Sequence, residues 1–217
     1  FHGVGVGKTC TAISISQNFK NMYKDKTKKI ICLVSKNIRP GWMKTIYDPE
    51  KGSDQCTGDE FLQYISKEGF HQESGTKKKI KKLIKEFYEF YGYQEFSNYV
   101  KKLVKIRLGN RSETLKETVT KEVIEEIFSE RLLIIDEIHN IRSDNTKYSS
   151  DTIEYIKKVI KYSKNLRLIG LSATPMFNQS TEIIELINMF LMNDNRPIIK
   201  ESDIFSRDGQ VTPEGKE

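Results

Sequence analysis

The sequence predicts an α/β fold, a mainly parallel sheet covered by helices. Three observations point there. Short, mainly apolar runs recur at Lys29–Ser35, Leu132–Ile135 and Leu166–Leu171, helical periodicities separate them, and a glycine-rich loop near the start opens straight into a helix. Apolar runs of strand length alternating with helices are the pattern of strands buried on both faces. The chain has 217 residues, 37% hydrophobic and 30% charged, enough apolar material for one substantial core.

In chain order, Ala12, Ile13, Ile15, Phe19 and Met22 give Thr9–Met22 a helical spacing, and Lys29–Ser35 follows as a buried strand. From Trp42 to Phe128 the chain turns charged and helical. Ile80, Leu83, Ile84, Phe87 and Phe90 recur on one face, as do Leu115, Val119, Val123, Ile127 and Phe128, so residues 42–130 read as a helical insertion. Helices over Thr152–Lys164 and Thr181–Met192 flank the last strand. Residues 1–206 then form one domain, and the polar stretch 207–217, with Gly209, Pro213 and Gly215, reads as a tail or linker. The chain opens at Phe1 without a methionine, so it reads as a fragment.

Composition excludes several classes. No apolar run approaches the roughly 20 residues that cross a bilayer, and no charged-then-apolar leader is present. Cys10, Cys32 and Cys56 are odd in number and far apart, which indicates neither a disulfide framework nor a zinc site and suits a reducing, intracellular compartment. The net charge of +6 suits a polyanionic partner without demanding one.

Three short motifs carry chemistry. In His2-Gly3-Val4-Gly5-Val6-Gly7-Lys8-Thr9 the glycines allow the backbone to curl so that consecutive N–H groups face an anion, and the helix that follows adds its positive end. Gly3, Gly5, Val6, Gly7, Lys8, Thr9 and Cys10 are the nucleotide-binding candidates. Lys8 suits the β- and γ-phosphates, and the Thr9 hydroxyl suits a magnesium ion. His2 stands where the strict pattern asks for glycine. In Leu132–His139 an apolar strand delivers Asp136 and Glu137. The first suits magnesium, and the second suits orienting and deprotonating an attacking water. In Leu168–Pro175 a strand ends in Ser172 and Thr174, whose hydroxyls can bond to the carboxylate end of the neighbouring strand.

The ordered set GVGVGKT, DEIH and SATP resembles motifs I, II and III of superfamily 2 helicases and translocases. Scattered further residues, among them Ile31–Asn37 with Trp42, Tyr88–Phe96 and Pro175–Asn178, are similar to the nucleoside triphosphatase and early-transcription-factor ATPases of large cytoplasmic DNA viruses. The resemblance implies a RecA-like P-loop NTPase domain that binds ATP and Mg2+ and drives movement on nucleic acid, in the cytoplasm or a virion. Lys8, Asp136 and Glu137 would be catalytic, Thr9 and Asp136 would hold the metal, and His139, Ser172 and Thr174 would couple hydrolysis to motion. Lys36 and Asn37, and a region around Tyr93, would line the track, with DNA preferred over RNA but the choice open. Motors of this kind also need a second RecA-like domain, whose arginines can be worth ~10³ to 10⁵ in rate. That domain and the strand feeding the phosphate loop are expected to be missing here, so the isolated chain is expected to bind ATP poorly. Transcription machinery is a further expected partner. A DNA-binding scaffold or switch using the same site is the alternative.

Plainer readings are favoured elsewhere. The basic tract Lys77–Lys82 reads as the solvated face of a helix, the aromatic residues from Phe87 to Phe96 as core, Trp42 as an anchor of the turn after the 29–35 strand, and Cys10 as small packing. His71 lies in a polar loop and takes no role.

Overall fold

A computed structural model describes residues 7–20, 28–67, 73–142, 147–176, 182–206 and 210–212. Gly3, Gly5 and Val6 of the glycine-rich loop therefore lie outside the described residues, as do His71 and most of the tail. The elements run α1 (Lys8–Lys20), β1 (Ile30–Leu33), α2 (Arg39–Ile46), α3 (Glu60–Lys67), α4 (Glu73–Phe87), β2 (Tyr88–Tyr91), α5 (Tyr93–Leu108), α6 (Lys116–Phe128), β3 (Leu132–Asp136), α7 (Ser150–Tyr162), β4 (Arg167–Leu171), α8 (Glu182–Asn193) and α9 (Glu201–Ile204). The four strands form one sheet in the order β2-β1-β3-β4, with every pairing parallel.

Side-chain alternation along the strands divides the interior into two cores. Ile31, Leu33, Leu133 and Ile135 point to one face, where they meet α5, α6, α7 and α8. Ile30, Cys32, Val34, Leu132 and Ile134 point to the other, against α1, α2, α3 and α4. Because both faces are covered, β1 and β3 read as continuous apolar runs, and burial of each Ile or Leu contributes about 1.5–3 kcal/mol. The parallel α/β architecture anticipated from the alternating runs is thus present. Among the described residues no helix is long and apolar enough to cross a membrane.

Two expectations need correction. The middle of the chain is not wholly helical: α4 ends at Phe87, and Tyr88–Tyr91 form β2, so Phe90 belongs to a strand. Register decides this. Ile30 to Leu33 pair in step with Tyr88 to Tyr91, and aromatic side chains suit a pleated surface. Four residues are too few to display a period of their own, and the spacing from Phe87 to Phe90 imitates a helical step.

Second, Cys10, expected as small packing in a chain whose cysteines indicated no disulfide framework, is joined to Cys56 by a disulfide, with Cα atoms 5.2 Å apart. The sequence separates them by 46 positions, whereas the fold lays the loop carrying Cys56 against α1. There the Ser14 hydroxyl donates to the Cys56 carbonyl at 2.8 Å. Cys32 is buried and free, and burial raises its thiol pKa far above the usual range.

The basic tract does present Lys78, Lys79, Lys81 and Lys82 to solvent, while Ile80 and Ile84 are buried beneath them.

β4 is packed against the turn that follows β3. A Cβ added at Gly170 would lie 2.6 Å from Ile138 Cδ1 and 3.1 Å from its Cγ2, with Phe190 Cζ at 3.2 Å. Ile138 is 3% exposed and has little room to retreat. Gly170→Ala is therefore expected to destabilise the domain by about 1–3 kcal/mol through overpacking. Chemical denaturation of the full-length protein checks this, and an unchanged midpoint would contradict it.

Candidate active site

In a parallel sheet all carboxyl ends lie on one rim, where ligands of open α/β sheets bind. Here that rim carries four segments: Ser35–Asn37 after β1, Gly92 and Tyr93 after β2, Asp136–His139 at the end of β3, and Ser172–Thr174 after β4. Lys36 and Asn37 are both exposed there.

Gly7 takes a left-handed backbone, φ +84°, and hands the chain to α1. Its carbonyl accepts from the Thr11 N–H at 2.9 Å, so the N–H groups of Lys8, Thr9 and Cys10 precede the helical ladder. No acidic residue occupies the first turn of α1 to compete for them. The first-turn amides, with the partial positive charge of the helix start, suit an anion. The helix is seated by the buried Ala12 and Ile13. It is also tied to β2, where the Tyr88 hydroxyl meets Ser16 Oγ and Gln17 Nε2, each at 2.7 Å. Cys10 thus sits in the predicted anion-binding turn by its backbone while its side chain is committed to the disulfide.

At the far end of β3, Asp136 is half-buried, and its Oδ2 accepts the Trp42 indole N–H at 3.0 Å. Burial pushes its carboxyl above the ordinary pKa. The Trp42 hydrogen bond opposes that, the Glu137 charge adds to it, and the Glu137 backbone N–H and the Lys8 ammonium oppose it. The Lys8 ammonium, 128 positions away in sequence, therefore bears electrostatically on the Asp136 carboxyl.

Glu137 sits at φ 56°, ψ 50°, a left-handed conformation costly for a residue with a side chain, by about 1–2 kcal/mol. Its carbonyl is held by three donors: Tyr93 Oη at 3.0 Å, the Asn140 N–H at 2.9 Å and Asn140 Nδ2 at 3.0 Å. Tyr93 Oη also reaches the Asp136 carbonyl at 2.6 Å. Burial raises the Tyr93 pKa strongly, so the phenol keeps the proton it shares between these carbonyls. The turn that aims Glu137 is thus braced from α5 and from the short 3-10 turn Ile138–Ile141.

His139 Nδ1 lies 2.8 Å from Ser172 Oγ and 3.2 Å from Glu137 Oε2. Burial lowers the imidazole pKa, against the pull of the Glu137 charge, so the ring is neutral at pH 7. A carboxylate only accepts, so Nδ1 carries the proton when it faces Glu137. Ser172 Oγ in turn accepts the Thr174 backbone N–H at 3.1 Å, while the Thr174 side chain is exposed. A chain of contacts consequently runs from Glu137 through His139 to Ser172 and the 172–174 turn.

The fold brings Lys8, Asp136, Glu137, His139 and Ser172 to one rim. Trp42, Tyr93 and Asn140 are the site residues that the sequence did not assign to it. Trp42 is not merely a turn anchor, for it lies within α2, is 3% exposed and reaches Asp136. Its being the chain's lone tryptophan gives no signal of a partner 94 positions away. Tyr93, expected near the track or in the core, is buried in the core, and its hydroxyl bonds with the strand-end carbonyls.

The chain matches the family described as type III restriction enzyme, res subunit, over residues 2–177. Two proteins of Acanthamoeba polyphaga mimivirus, named as ATP-dependent RNA helicases, are each 32% identical to it. One match covers 87% of this chain and 17% of the relative, the other 91% and 30%. A protein of Invertebrate iridescent virus 3 named as a helicase is 27% identical over 88% of this chain and 18% of its own length. The chain thus spans well under half of these curated relatives. No solved structure matches it significantly. The match across most of the chain, with its parallel sheet and ordered motifs, shows that this protein belongs to the type III restriction enzyme res subunit family, with the RecA-like first motor domain of superfamily 2 helicases.

Proposed function

We propose that this chain is the ATP-binding and hydrolysing half of a nucleic-acid-dependent motor. The observation that carries the reading is the shared rim: the ammonium of Lys8 acts on Asp136, and Glu137 is the next residue, on a braced left-handed turn. The donor set fits a magnesium triphosphate, since Mg2+ bound with phosphates needs only one or two carboxylates from the protein. Thr9 and Asp136 would hold the metal, while Lys8 and the amides at the start of α1, with Gly3, Gly5 and Val6, would hold the phosphates. A bound magnesium ion would supply charge neutralisation at the β- and γ-phosphates.

The chain's own residues do the rest. Glu137 orients a water and takes its proton. His139, neutral and shared between Glu137 and Ser172, passes the position of that carboxylate to the turn after β4. Lys36 and Asn37, exposed at the end of β1, meet the nucleic-acid backbone. A second RecA-like domain elsewhere in the full-length protein supplies the arginines that complete the site. The names of the two mimivirus relatives put RNA beside DNA as the track, and the viral kinship is in keeping with a role in transcription or genome processing.

The test is ATP hydrolysis by the full-length protein, measured alone and with single-stranded RNA, single-stranded DNA or duplex DNA. Turnover that rises several-fold with one of these polymers is expected. Nucleic-acid binding that is indifferent to nucleotide, with no hydrolysis, would replace the motor by a scaffold.

A further inference from the structure

Trp42 is buried in the core beneath α2, with Phe90 against its ring edge-on at a centroid distance of 6.5 Å. Its one polar atom, the indole N–H, has Asp136 Oδ2 at 3.0 Å. The arrangement is asymmetric in its consequences. The indole is wedged in place by helix and sheet, as α2 holds Trp42 by a backbone bond from its N–H to the Ile38 carbonyl at 3.1 Å. The Asp136 side chain, in contrast, stands half-buried at the end of β3, where the Glu137 backbone N–H also donates to it. The rigid indole therefore adds a second, fixed donor to a short side chain with two torsions. An Asp carboxylate pinned at one oxygen has its other oxygen directed, and the lone pairs left on both are presented in one geometry rather than several.

We infer that Trp42 is a positioning residue for hydrolysis: its indole N–H orients the Asp136 carboxylate so that the metal is met without a rotamer search. The inference rests on the reading of Asp136 as the metal carboxylate. Hydrogen-bonding partners of a metal ligand commonly govern affinity or activity by about 10- to 100-fold. A tryptophan suits this task better than a flexible polar side chain, because its packing area holds the donor in place. The role also accounts for the placing of the chain's one tryptophan in this core: the same volume without the N–H would leave the carboxylate less constrained.

The experiment uses the full-length protein with a non-hydrolysable ATP analogue and titrates Mn2+ by electron paramagnetic resonance, comparing wild type with Trp42→Phe. A second variant replaces the Trp42 indole by its benzothiophene isostere, which keeps ring size and lacks the N–H. Steady-state turnover is measured alongside. Mn2+ affinity is expected to fall about 10- to 100-fold in both variants. Turnover should fall at a fixed Mg2+ concentration, recovering in part at high Mg2+, and affinity for the metal-free analogue should be unchanged. A purely structural role would lower unfolding resistance and leave the metal titration where it was. Mn2+ affinity within twofold of wild type in the folded isostere variant overturns the inference and leaves the motor reading standing. A wild-type protein that takes up no Mn2+ with the analogue overturns both.

Discussion

Glu137→Gln in the full-length protein should lower ATP turnover by about 10²- to 10⁴-fold while leaving nucleotide binding within a few-fold of wild type. Gln preserves the size of the side chain and can still accept a hydrogen bond, but it cannot take a proton from water. The backbone should tolerate the change. The left-handed turn at φ 56° is held through the Glu137 carbonyl by Tyr93 and Asn140, and none of those bonds involves the carboxylate. The contact at 3.2 Å between Glu137 Oε2 and His139 Nδ1 does involve it. A glutamine oxygen accepts from the same N–H, so the link to Ser172 survives. Rapid-mixing turnover together with equilibrium binding of a fluorescent ATP analogue separates the two quantities. Near-normal turnover in the variant would remove Glu137 from the role of base.

Glu182→Ala should destabilise the domain by about 1–3 kcal/mol. Glu182 opens α8 and is paired with the Arg142 guanidinium, and both residues are buried. The pair joins the end of the turn that follows Asp136 and Glu137 to the helix after the 172–174 segment. Removing the carboxylate takes an anionic partner from a buried guanidinium, which costs more than the pair itself contributes. Replacing both partners, Arg142→Met with Glu182→Leu, should recover most of the loss, because no charge then remains to be desolvated. Urea unfolding of the full-length variants decides it. A single variant that loses less than about 1 kcal/mol would show that the arginine does not depend on Glu182.

Much of the scaffold could be read from the chain because the physics is local. β1 lies within the apolar run at 29–35 and β3 begins with that at 132–135, since strands covered on both faces are apolar through their interior, and the partly buried β4 lies within 166–171. α1, α7 and α8 follow from side chains recurring at helical spacing, and Ser149 caps α7 through its hydroxyl at 3.3 Å from the Thr152 N–H. β2 could not be read in this way. Its four residues exist as a strand only because β1 offers a parallel edge in register, and that is a property of two segments more than fifty positions apart.

The candidate site divides along the same line. By itself the sequence determined the family's ordered motifs, the residue types that suit a phosphate, a metal and a water, and the alternating pattern that builds a parallel sheet. The tertiary structure alone decided that Trp42 holds the Asp136 side chain, that Tyr93 and Asn140 brace a left-handed Glu137, that His139 stands between Glu137 and Ser172, and that Cys10 meets Cys56. The physical reason is range. Chain chemistry and periodicity act over a few residues, whereas the orientation of a carboxylate or a hydrogen-bond partner is set by whichever side chain packing brings within about 3 Å.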